Sequence, residues 1–140
     1  MFYVWALVAI VGAVGYHYFV KRVPENLNPI VSIIGLYAGV LLLAAALLPV
    51  VQSEGGLLTQ VRQLSWIQIA LAVFVFMIEI GFLMMYRNGW ELSTGNLVTN
   101  VVVTLVLVAL GVFVLGERLS AINMFGIGLS IVGVGLISYR

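Results

Sequence analysis

No cysteine occurs among the 140 residues, which excludes disulfides and thiol chemistry and leaves the redox compartment unread. The single histidine, His17, has no second imidazole and no thiolate to share a metal with, so no metal site is expected. Charge is scarce. Six basic and five acidic residues make up 8% of the chain, where a soluble domain carries roughly 25%. A net charge of +1 gives nucleic acid or an acidic partner nothing to hold. No nucleophile–base pair, phosphate-binding loop or metal-ligand spacing is present, so neither an enzyme with catalytic residues nor a cofactor is expected.

What is present is apolar. Hydrophobic residues make up 64% of the chain, and the mean hydropathy is +1.22. Such a composition means that the solvent is lipid. About 20 apolar residues cross the hydrocarbon core as a helix. Five segments qualify, at about residues 2–20, 29–51, 66–86, 93–115 and 121–139. The spans are too long and too uniformly apolar for barrel strands. The expected fold is all-α and integral to the membrane, a single transmembrane domain over residues 1–140. Short connections make sequential helices antiparallel neighbours. Segment 2–20 has no basic residue before it and Lys21-Arg22 after it, the reverse of a secretory signal, so it is expected as a retained span.

Between the spans, Pro24 stops the first helix within a polar turn, and Pro29 suits a first helical turn. Residues 52–65 form the longest linker. Leu57, Leu58, Val61 and Leu64 fall at helical spacing there, so a short interfacial helix and an ordinary loop both fit. Tyr86 and Trp90 flank the third turn at the headgroup level such rings prefer. One side of the membrane receives Lys21, Arg22, Arg87 and Arg140, the other Arg62 and Arg118. The bias of four to two is weak under the positive-inside rule and leaves room for both orientations.

Polar groups inside the spans mark candidate sites. Glu79 lies within the apolar third span, where a charged residue costs about 2.5–3.5 kcal/mol. Gln68, Glu79 and Tyr86 are spaced by eleven and seven residues and share a face. Phe76, Phe82 and Leu83 flank Glu79 and disfavour its charged form, so a proton can come and go. Either Glu79 carries a coupling proton or a cationic substrate, or it stays protonated and bonds a neighbouring helix. In the fourth span Ser93, Asn100, Thr104 and Gly111 fall within about 40° of one another, with Asn96 beside them. That stripe either lines a substrate path or locks helices together. His17 is a further candidate, because imidazole exchanges protons near neutral pH. Small residues mark packing faces: Asn28, Ser32, Gly35, Gly39 and Ala46 in the second span, and Gly126, Ser130 and Gly133 in the fifth. Gly128 and Gly135 stand opposite the latter.

Leu115-Gly116-Glu117-Arg118-Leu119-Ser120, then Asn123-x2-Gly126 and Ile131-Val132-Gly133-Val134-Gly135, resembles the end of an EamA repeat of the drug/metabolite transporter superfamily. The turn from Tyr86 to Leu97 resembles that family's join between third and fourth helices. The resemblance implies one five-helix half-repeat of a transporter. Most members carry two inverted repeats around a cavity, so a single repeat implies a dimer.

The expected function is a secondary transporter for small metabolites or organic cations, proton-coupled and active as a dimer, expected as an antiparallel homodimer, for which the weak charge bias leaves room. A parallel dimer and a sister half-repeat are the rivals. Glu79 takes the proton or the substrate charge. Asn96, Asn100 and Thr104 bond the substrate, Tyr86 and Trp90 sit at the mouth, and Gln68, His17 and Ser93 are subsidiary. The partners expected are membrane lipid, a small-molecule substrate and a second copy or sister chain. The location expected is the cytoplasmic membrane of a bacterium or archaeon. A non-transporting accessory subunit and an uncoupled facilitator are the alternatives.

Overall fold

A computed structural model describes residues 2–51 and 56–139. Arg140, one of the four basic residues on the richer side, and part of the 52–65 linker lie outside them. The described residues contain helices and no strand. In order these are α1 (Phe2–Val20), α2 (Pro29–Leu47), α3 (Leu57–Arg62), α4 (Trp66–Arg87), α5 (Leu92–Phe113) and α6 (Ala121–Ser138). Among the described residues α1, α2, α4 and α5 are long and apolar enough to cross a membrane; α6 is apolar but shorter. The protein is an integral membrane protein of all-helical fold.

The helix starts follow from side chains that take up orphan backbone donors. Asn28 Oδ1 accepts the Ile30 N–H at 2.8 Å, and Pro29 follows as the first helical residue. Ser65 Oγ accepts the Ile67 N–H at 3.3 Å, while the Ser65 N–H donates to Gln68 Oε1 at 2.8 Å, a reciprocal cap for α4. Ser120 Oγ accepts the Asn123 N–H at 3.2 Å and opens α6.

Two helix ends depart from the hydropathy expectation. α2 stops at Leu47 and not at 51, because Pro49 has no N–H to continue the ladder. The N–H groups of Val50 and Val51 turn back onto the Leu47 carbonyl at 3.0 and 3.1 Å. α5 stops at Phe113 and not at 115. Gly116, at φ +70°, takes the left-handed conformation that glycine alone adopts without penalty. It swings the chain back so that the Glu117 N–H donates to the Gly111 carbonyl at 2.9 Å. The Glu117 carboxylate then lies over Gly111, where a side chain on that residue would collide with it. Of the two readings of the long linker, the helical one holds: Leu57–Arg62 form α3.

The chain falls into two compact units. A central unit comprises Phe19–Asn88, and a terminal unit comprises Met1–Tyr18 with Gly89–Arg140. In the central unit α2 packs on α4. Ile33 of α2 and Leu83 and Tyr86 of α4 are its buried apolar side chains. The loop before α2 is tied to the end of α4 by Arg87, whose Nη2 donates to the carbonyls of Pro24 at 3.0 Å and Leu27 at 2.6 Å. In the terminal unit α5 packs on α6, and Gly95 and Gly111 of α5 are buried.

Arg87→Ala removes two bonds from a charged donor. It is expected to destabilise the fold by about 1.5 kcal/mol, the lower end for such bonds because the site is partly exposed. Thermal unfolding in detergent measures the loss, and faster tryptic cleavage after Arg22 localises it. Unchanged cleavage would show that these bonds do not hold the loop.

Candidate functional site

The third span's acid is placed by the central unit alone. Glu79 is half-buried on α4 and shares a face with Leu83 and Tyr86, at positions i, i+4 and i+7. The opposing helix presents Ile33 and, one turn on, Tyr37. The Arg87 bonds set the register, since they hold the last turn of α4 beside the chain that enters α2. From that tie, one turn toward the start of α4 and one toward the end of α2 bring Leu83 level with Ile33. The next turn of each brings Glu79 level with Tyr37. Glu79 is near enough to Tyr37 for its charged form to act on the Tyr37 hydroxyl. That hydroxyl oxygen is buried and has no hydrogen-bond partner among the described residues.

Tyr86 and Gln68 occupy other settings on α4. Tyr86 is 6% exposed. Its ring stacks on Phe82 with centroids 6.1 Å apart, and Lys21 Nζ lies 5.9 Å from its centroid. The chain's own groups therefore cover this ring, whereas Trp90 in the following turn is 46% exposed. Gln68 holds the α4 cap with its carboxamide oxygen.

The fourth span's polar residues belong to the terminal unit. Asn96 and Ser93 line a groove of about 690 Å³ together with His17 and Glu91. The apolar wall opposite comes from Ile10, Ala13 and Val14 of α1. A volume of this order accepts a drug-sized molecule. Glu91 precedes α5, where a negative charge is favoured by the exposed N–H groups of the first turn. Asn100 Nδ2 donates to Asn96 Oδ1 one turn away. Thr104 Oγ1 donates to the Asn100 carbonyl at 2.7 Å, and Thr99 Oγ1 to the Gly95 carbonyl at 2.8 Å. These bonds stay within α5. Among the described residues, the amide pair leaves Asn96 Nδ2 and Asn100 Oδ1 available to meet a ligand. Thr104 faces a second groove of about 520 Å³ between α5 and α6, with Asn123 and Ser130.

The structure thus brings Asn96, Ser93 and His17 to one groove, bonds Asn100 to it, and sets Thr104 in another. Glu79, Tyr86 and Gln68 stand in the central unit. Tyr37 near Glu79 and Glu91 at the groove are candidates that sequence reasoning missed. Glu91 was legible as the acid that opens a Ser/Thr/Asn-rich helix start. The glycine faces are also informative. A Cβ built on Gly35, Gly39, Gly126, Gly128, Gly133 or Gly135 meets nothing within 4 Å. None of these faces is used for close helix approach among the described residues.

Because the Asn96–Asn100 bond lies within one helix, replacing both by leucine is expected to leave the thermal midpoint in detergent unchanged or raised. A clear fall in the midpoint would mean that the two amides hold a partner helix.

In comparison with known proteins, the family model of the EamA-like transporter family matches residues 1–139. No curated protein and no solved structure matches the chain.

Proposed function

Because this chain belongs to the EamA-like transporter family, we propose that it is a secondary transporter of small metabolites or organic cations, coupled to protons and active as a dimer. Members of this family are membrane transporters, not enzymes. The observation that carries the coupling reading is Glu79, a half-buried carboxyl within a 22-residue apolar helix. An acid at such depth is retained where it has work to do, because its charged form is costly there. A carboxyl that alternates between neutral and charged forms suits either a proton or an organic cation, and the two can exchange at one site.

Within the terminal unit, the groove beside Asn96 offers a surface for a small molecule. Its wall accepts the apolar body of a small molecule, and Ser93, Asn96 and His17 offer hydrogen bonds to the polar end. Asn100 and Thr104 extend that polar face along α5. Glu91 at the groove favours cations over anions by simple Coulomb attraction. Trp90 stands exposed in the adjoining turn, suited to closing over a bound molecule.

The dimer reading is supported by the open glycine faces. Alternating access uses two repeats that rock about a shared site. A second copy of this chain in the opposite orientation supplies an inverted repeat, and the charge bias of four to two permits insertion in both orientations. An antiparallel homodimer follows, in the cytoplasmic membrane of a bacterium or archaeon.

Flux into proteoliposomes under an imposed proton gradient tests the coupling. The probes are a panel of amino acids, nucleosides and quaternary ammonium dyes. Glu79→Gln is expected to abolish uphill accumulation while leaving expression intact. A variant that accumulates substrate as the parent does would remove Glu79 from the coupling step. Downhill flux alone in the parent would make the protein a facilitator, and no flux of any probe would favour an accessory subunit.

Topology tests the dimer. Reporters fused after Arg140 are expected to signal from both sides of the membrane. A signal from one side only excludes the antiparallel homodimer.

A further inference from the structure

Transport as proposed above gives Tyr37 no role. It sits in the middle of an apolar helix, eight residues from Pro29. Glu79 sits eight residues from Arg87, which marks the same end of the seam. The antiparallel register fixed by the Arg87 bonds therefore sets the two side chains at one depth. Between that level and the loop lie the buried pair Ile33 and Leu83, at 5% and 3% exposure, which shield the seam from the interface on that side.

The Tyr37 hydroxyl oxygen is buried and unpaired among the described residues. A buried phenol ordinarily finds an acceptor, because losing its water bonds without replacement is costly. The ring is rigid, with its hydroxyl at a fixed reach from α2. Glu79 has three side-chain torsions and swings its carboxyl over several ångströms. The charged form of Glu79 is within electrostatic reach of this hydroxyl. The titratable and charged groups that share the seam are few. α2 carries no titratable side chain besides Tyr37. On α4 the others are Tyr86 and Arg87, both in the last turns, with Lys21 over the Tyr86 ring. None of these is level with Glu79.

We propose that Tyr37 is the positioning residue of the Glu79 carboxyl: its O–H donates to the ionised carboxylate and lets go when Glu79 takes up a proton or pairs with a cation. The bond holds the charged form on the α2 side. Protonation removes the strong acceptor and frees the carboxyl to turn. This inference rests on the reading of Glu79 as the coupling group. It adds the element that makes the two protonation states differ in position as well as in charge.

The test needs no substrate. Dicyclohexylcarbodiimide is apolar and reacts with protonated carboxyls in the membrane. Its rate of labelling of the purified dimer in detergent is followed against pH, with Glu79→Gln as the blank. Tyr37→Phe keeps the ring and deletes the donor. The pH of half-maximal labelling is expected to rise by roughly one to two units, the equivalent of a lost hydrogen bond to a charged group. Superimposable profiles would overturn the proposal. Glu79→Asp shortens the acid by one carbon and withdraws it from the hydroxyl. In that background Tyr37→Phe is expected to shift the profile no further, whereas a full second shift would show that the hydroxyl acts elsewhere. A purely structural tyrosine would lower the thermal midpoint and leave the pH profile in place. The two readings fail separately. An unshifted Tyr37→Phe profile alongside loss of uphill flux in Glu79→Gln removes this inference and keeps the transporter. Uphill flux that survives Glu79→Gln removes the coupling role itself.

Discussion

Hydrocarbon supplies no hydrogen-bond partner, so every polar group carried into it must be satisfied by the protein. The backbone meets this demand by staying helical from one interface to the other. Breaks are confined to the ends, where small polar side chains complete the first turn: Asn28 before α2, Ser65 with Gln68 at α4, and Ser120 before α6. Side chains within α5 meet the same demand without leaving their helix. Thr99 and Thr104 bond back to carbonyls one turn earlier, and Asn100 bonds to Asn96. A polar stripe built this way needs no neighbouring helix to be tolerated, which leaves its outward edge open to a ligand.

Glu79 cannot use that solution in both of its states. A protonated carboxyl can donate to a carbonyl of its own helix, as the threonines do. An ionised carboxylate is an acceptor only, and a helix interior has no spare N–H to offer it. Its donor must come from another element. On α2, which packs on α4, the hydroxyl level with it belongs to Tyr37. The two charge states therefore call for different partners. That asymmetry is what a coupling group requires, since a ligand shifts an equilibrium only through its unequal affinity for two states.

The span boundaries were legible in the sequence where they depend on local chemistry. The first span matches, 2–20, and so do the α4 start at Trp66 and the α6 start at Ala121. Hydropathy carried the second span through Pro49, because the residues on both sides are apolar; the missing N–H, not the mean hydropathy, ends α2 there. The α5 stripe was legible because a 100° periodicity is a property of one helix. Partners across helices were not. In lipid an apolar face toward a neighbour and one toward an acyl chain have the same composition. Tyr37 therefore does not stand out within its apolar span until α2 is known to pack on α4. For the same reason the Gly35–Gly39 spacing signalled close approach, yet nothing described lies over it.

Depth then distinguishes the possible dimers by what they do with the acid. α4 has 22 residues, and Glu79 lies about 12 Å from its Arg87 end and about 20 Å from Trp66. It is thus offset from the middle of the span by about 4 Å. In a parallel dimer both copies carry the acid at one depth, on the same side of the midplane, and an ion from the far face meets them last. In the antiparallel dimer proposed here the twofold axis lies in the membrane plane. It sends the second Glu79 to the opposite side of the midplane, about 8 Å away in depth. Each face then presents an acid at the same distance. The proposed pair of Tyr37 and Glu79 then occurs once on each side, and the exchange of inward and outward states becomes an exchange of roles between two identical chains. The antiparallel arrangement gives the repeat an inverted counterpart, the symmetry on which alternating access depends.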